Sequence, residues 1–142
     1  MSRVDDFTKF RKRMNERILS HDNQVVRRFF ALDTQTYQPG ALDVKTKEML
    51  GLVASLVLRC DDCVSYHVAQ CRDAGVNRDE FFEVFSVGLV VGGSIVIPHL
   101  RRAVDFLDTL ESAAGVLLSE LSLSPAVPVG ADRCLRSGPA RG

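Results

Sequence analysis

Four residues whose types can do chemistry lie in one short stretch: Glu48, Cys60, Cys63 and His67. The two cysteines have CxxC spacing. On a helix, Cβ atoms three residues apart are about 5–6 Å from one another, whereas a disulfide needs about 3.5–4.5 Å. A small adjustment in a first helical turn closes that gap, so a reversible disulfide is geometrically accessible. Such a position also favours the thiolate, through unpaired backbone amides and the helix macrodipole. Thiols placed this way can fall from a pKa of about 8.5 to about 3.5–7.5. Asp61 and Asp62 favour a helix start but oppose thiolate formation, so the two influences work against each other.

His67 follows Cys63 by four residues, one helical turn along the same face. Its imidazole is a candidate proton acceptor for Cys63, directly or through one water. Glu48 lies twelve residues before Cys60, which is about 18 Å on an unbroken helix. If the chain reverses near Leu58–Cys60, however, Glu48 and His67 reach similar depths in an antiparallel hairpin. A carboxylate there would orient the imidazole and stabilise its charge. A lone glutamate on so apolar a helix also needs a partner.

Metal binding is the competing use of these residues, with Cys71 as a fourth donor. Cys60 and Cys71 are eleven residues apart, about 16 Å along a helix. Zinc needs its donors within about 2.0–2.3 Å of one point. A continuous helix cannot supply that, and an open site from Cys60, Cys63 and His67 would be strained. No metal or cofactor is expected, and Cys71 reads as a small buried residue.

The elements around this stretch are read as helices. Val4, Phe7, Phe10, Met14 and Ile18 make an amphipathic helix over 3–19. After a polar break at Ser20–Asn23, a second helix carries Val25, Val26, Phe29, Phe30 and Leu32 as its expected buried side, and Pro39–Gly40 ends it. Asp43 is the expected N-cap of a third helix over 44–58, apolar on most sides and so expected to be largely buried. A fourth runs from Cys60 to Ala74, closed by Gly75. Asn77 and Glu80 form a capping box for a fifth, and a sixth covers roughly 94–112. Gly88 and Gly92 share a face of the fifth helix, which predicts a close helix crossing or, alternatively, a buried subunit interface. No period-2 stretch is present, so the fold class is all-α, with one domain over 1–119. From about 120 the periodicity stops, which predicts a mobile tail containing an incidental Cys134.

Composition narrows the function classes. The 142 residues are 46% hydrophobic and 25% charged, with 18 Lys plus Arg against 18 Asp plus Glu. Without net charge or a basic, aromatic-interleaved cluster, nucleic acid is not an expected partner. The longest uncharged stretch, Val84–Pro98, has 15 residues, short of the roughly 18–20 of a membrane span. The start lacks the apolar run of a secretory signal. The reading is a cytoplasmic protein whose cysteines serve redox chemistry or metal rather than a structural disulfide framework.

The run Lys47-Glu48…Cys60-Asp-Asp-Cys63-Val-Ser-Tyr-His67, with Ala74-Gly75-Val-Asn and the later Val-Gly-Gly, resembles the alkylhydroperoxidase D/carboxymuconolactone decarboxylase family over about residues 42–112. The resemblance implies an all-helical bundle assembled into homo-oligomers, trimers or hexamers, and thiol-dependent reduction of hydroperoxides. It implies that Cys63 attacks the peroxide and Cys60 resolves the sulfenic acid. A dithiol partner protein, lipoyl-bearing or thioredoxin-like, would then re-reduce the pair, with His67 and Glu48 as the proton relay. One departure stands out: peroxidase members often carry a histidine directly before the second cysteine, where this chain has Asp62. The decarboxylase branch, which generally lacks the CxxC pair, supplies an alternative activity. A non-enzymatic thiol redox sensor is another.

Overall fold

The computed structural model describes residues 2–122, with side chains through 116. Among them are six α-helices and one 3₁₀ turn, and no strand. The helices are α1 (Arg3–Ser20), α2 (Gln24–Thr36), α3 (Val44–Val57), α4 (Asp61–Asp73), α5 (Arg78–Gly92) and α6 (Ile97–Ser122), with the 3₁₀ turn at Ser94–Val96 before α6. The predicted caps form. The Asp43 side chain accepts from the Thr46 amide, and Asn77 and Glu80 close a capping box on α5. Gly75, at φ +83°, takes up the left-handed conformation that ends α4.

The chain reverses where the hairpin needs it. The Cys60 amide donates to the Ser55 carbonyl and the Arg59 amide to that of Leu56, both at 3.0 Å. This is a Schellman-type closure of α3 with Arg59 at φ +59°, a conformation that usually goes to glycine. α4 then runs back along α3. α5 packs on the other side of α3, and α6 packs against α4, with α1 along α6. Leu52 and Leu56 of α3 meet Val64, Val68 and Cys71 of α4, Phe81 and Phe85 of α5, and Phe106 and Leu107 of α6 in one buried core. Gly88 sits at the crossing of α5 over α3, where a Cβ would come 3.3 Å from Leu56 Cδ1. A close crossing therefore accounts for this glycine.

Three expectations need correction. The apolar side of α2 is not buried within one chain: Val25, Phe29 and Leu32 are exposed, and only Val26 and Phe30 are half-covered. Periodicity marks an apolar face but not what covers it. α3 is likewise less enclosed than its composition suggests, since Leu50 is exposed. The sixth helix begins later and runs further than 94–112, because Gly93 at φ +77° interrupts the backbone, and the helix formers after Glu111 continue it to Ser122. α6 thus enters the tail predicted from about residue 120; the rest of that tail, including Cys134, lies outside the described residues.

Candidate active site

The α3–α4 hairpin brings Glu48 and His67 together. His67 Nδ1 lies 2.8 Å from Glu48 Oε2, and both side chains are buried, with residue exposures of 8% and 3%. Two of the predicted site residues, nineteen apart in sequence, thus form one ion-pairing unit, as the depth argument required. With the Nδ1 proton donated to the carboxylate, Nε2 is the nitrogen left to exchange a proton.

At the other end of the stretch, Cys60 and Cys63 are joined as a disulfide with Cα atoms 5.3 Å apart. Cys60 is the N-cap of α4, where its Sγ accepts from the Cys63 amide at 3.4 Å. Cys63 is exposed and Cys60 half-buried, so an incoming reagent meets Cys63 first. The hydrogen bonds of His67 go to Glu48 and Tyr37, and none described reaches a cysteine sulfur. Among the described residues the imidazole and Cys63 thus share no hydrogen bond. Cys71, as expected, lies in the core, and burial followed by the nearby Glu48 charge pushes its thiol up to about 12. Among the described residues, no group of three or more His, Cys, Asp or Glu side chains could hold a metal ion.

Three contributors to this site were not anticipated from sequence. The Tyr37 hydroxyl, just after α2, stands 3.5 Å from His67 Nε2. Its phenol is raised by burial and, secondarily, by the Glu48 charge, so it remains a proton donor at neutral pH. Lys47 holds it there, donating to the carbonyls of Thr36 and Gln38 on either side at 2.8 and 2.6 Å. Gly51, one turn after Glu48, leaves room for the imidazole: a Cβ there would fall 2.5 Å from His67 Cε1 and 2.7 Å from the Tyr37 hydroxyl. A glycine inside an otherwise apolar helix was the available signal, since that position costs about 1 kcal/mol relative to alanine unless something approaches closely. No local signal pointed to Tyr37, which is thirty residues from His67.

Residues 23–106 match the model of the carboxymuconolactone decarboxylase family. Among solved structures, a Thermotoga maritima protein of that family, for which involvement in the antioxidative response has been suggested, is 53% identical with a TM-score of 0.74. The match covers 78% of this chain and 93% of that one. A Legionella pneumophila member of the family shares the fold at 19% identity and a TM-score of 0.70, over 77% of this chain and 97% of that one. An uncharacterised protein of the cox locus in Paracoccus denitrificans is 27% identical over 85 residues, 60% of this chain and 77% of that protein.

Proposed function

The chain belongs to the carboxymuconolactone decarboxylase family, and from that premise we propose that it is a thiol-dependent hydroperoxide reductase. The observation that carries the reading is the pairing of a Cys60–Cys63 disulfide, exposed at Cys63, at the start of α4 with the buried Glu48–His67 pair in the same hairpin. In the reduced enzyme the Cys63 thiolate attacks the peroxide O–O bond. One oxygen goes to sulfur as a sulfenic acid and the other leaves as the alcohol after protonation. The Cys60 thiol then displaces water from the sulfenic acid to form the disulfide. A dithiol partner, lipoyl-bearing or thioredoxin-like, supplies two electrons and two protons to regenerate both thiols and is itself oxidised. His67 Nε2, reached through an intervening water, takes the Cys63 proton and returns it to the leaving oxygen. Glu48 holds the ring through Nδ1, and Tyr37 bounds it at Nε2.

The working protein is a cytoplasmic homo-oligomer, trimer or hexamer, in this reading. It is supported by Val87, Val90 and Val91, which leave a run of α5 exposed in the single chain. No helix among the described residues is long and apolar enough to cross a membrane.

The test is hydroperoxide consumption with dihydrolipoamide or dithiothreitol as reductant. Turnover should be lost in Cys63→Ser, and Cys60→Ser should accumulate a sulfenic acid that a dimedone-type reagent traps. Unchanged turnover in Cys63→Ser would sink the reading. One feature favours a second reading: the Glu48–His67 pair is complete without either sulfur. A decarboxylase-type enzyme using that pair for proton transfer would keep its activity without the cysteines. Reversible disulfide formation with no turnover would instead indicate a redox sensor.

A further inference from the structure

A second carboxylate–histidine pair lies at the start of the cysteine helix. Asp61 is the first residue of α4, directly after the N-cap Cys60. His99 Nδ1 lies 2.7 Å from its Oδ1 and Arg102 Nε 2.8 Å from its Oδ2, both from α6. Burial disfavours the Asp61 charge, but the bonds from His99 and Arg102 outweigh it and hold the carboxyl below its usual range. Asp61 is therefore ionised at neutral pH and the shared proton sits on Nδ1. Arg102 also approaches Nδ1 at 3.2 Å, which is then a close contact between two donors.

Other charged groups flank this end of α4. On α4, Asp62 is met by Arg11 of α1 at 3.5 Å, whose guanidinium lies over the Tyr66 ring at 4.1 Å. Also from α1, Arg3 donates to the Arg102 carbonyl at 3.2 Å and pairs with Asp105. Arg59, exposed, precedes Cys60. Two carboxylates at the first two positions of α4 oppose a thiolate, and cations from α1 and α6 offset both.

We propose that His99, Arg102 and Asp61 are positioning residues that set the charge around the Cys60–Cys63 couple. The inference rests on the thiol reading above. The disulfide is neutral, and two electrons with two protons from a dithiol convert it to two thiols, one of which ionises. A neighbouring cation favours that thiolate and so the reduced form, and a neighbouring anion disfavours it. His99 and Arg102 cancel Asp61, which lets the helix N-terminus stabilise the thiolate.

The test uses full-length, reduced protein carrying Cys134→Ser, with the rate of iodoacetamide alkylation followed from pH 5 to 9. His99→Gln and Arg102→Gln should raise the pKa of the more acidic thiol, and Asp61→Asn should lower it. Each shift should be about half to one pKa unit, a three- to tenfold change in thiolate fraction at a fixed pH below that pKa. The equilibrium constant against glutathione should move accordingly, with His99→Gln favouring the disulfide. Circular dichroism confirms that each variant is folded. A purely structural cluster would not move the thiols in opposite directions. Shifts of the same sign in His99→Gln and Asp61→Asn, or profiles superimposable on wild type, would overturn the inference. The alkylation profile needs no peroxide, so a protein without peroxidase turnover would defeat the proposed function and leave this measurement intact.

Discussion

Among the described residues are two carboxylate–histidine pairs of nearly equal length, and their surroundings make them different objects. Glu48–His67, at 2.8 Å, lies inside the α3–α4 hairpin with side chains 4% and 10% exposed. Asp61–His99, at 2.7 Å, joins α4 to α6 with side chains 40% and 16% exposed, and Arg102 completes it. In the inner pair each partner is the main compensation for the other's burial, so the pair is a structural requirement as well as a candidate base. In the outer pair water and Arg102 share that task. It can then be altered at little cost to the fold, as suits a group that adjusts charge. Distance alone does not reveal what an ion pair contributes; burial decides it.

The sharpest way to break this comparison is to remove each histidine. His67→Ala leaves Glu48 buried without its partner and should lower unfolding free energy by about 3–5 kcal/mol. His99→Ala, whose partner stays half-exposed and bound to Arg102, should cost about 1 kcal/mol or less. Urea unfolding of both variants checks the contrast, and equal losses would remove the distinction.

Gly51→Ala tests whether the inner pair depends on the space beside it. Its Cβ would lie 2.5 Å from His67 Cε1, so the ring must move. A loss of about 1–3 kcal/mol is expected, typical of overpacking. Proton-transfer activity should fall with it although no chemical group is removed. An alanine variant as stable and active as wild type would mean that the ring is free to shift.

The smallest effect is an acid limb from the outer pair. The Asp61 pKa is depressed in the folded chain, so its stabilisation is present above the unfolded value of 3.8 and is lost as pH falls through the lower folded value. The stability difference between wild type and Asp61→Asn should therefore shrink as pH falls from about 5 to about 2. A difference that stays constant across that range would assign the pair no charge-dependent role.

Much of this arrangement was legible in the sequence. Caps at Asp43, Asn77 and Gly75 are local chemistry, since each side chain or permitted φ acts within a few residues, and all three appear where expected. The hairpin was legible for a different reason: a buried glutamate needs a partner, and His67 was the residue at matching depth. What covers α2 was not legible, because Val25, Phe29 and Leu32 report an apolar face and nothing about the surface that meets it. Tyr37 escaped as well. It reaches His67 only because Lys47 fastens the end of α2 beside α3.

By itself the sequence determined an all-helical chain, a CxxC pair at a helix start, and a glutamate and histidine that could share a site. These follow from periodicity, capping and the cost of burying a charge, which act over a few turns of chain. Tertiary structure alone decided which groups complete each pair. Tyr37 at the inner imidazole arrives from the end of α2, and His99 with Arg102 at Asp61 from α6, with the tyrosine 30 residues from His67 and the histidine 38 from Asp61. Contacts at that separation are set by how the helices pack, and packing sums over the whole core rather than over any local run of residues.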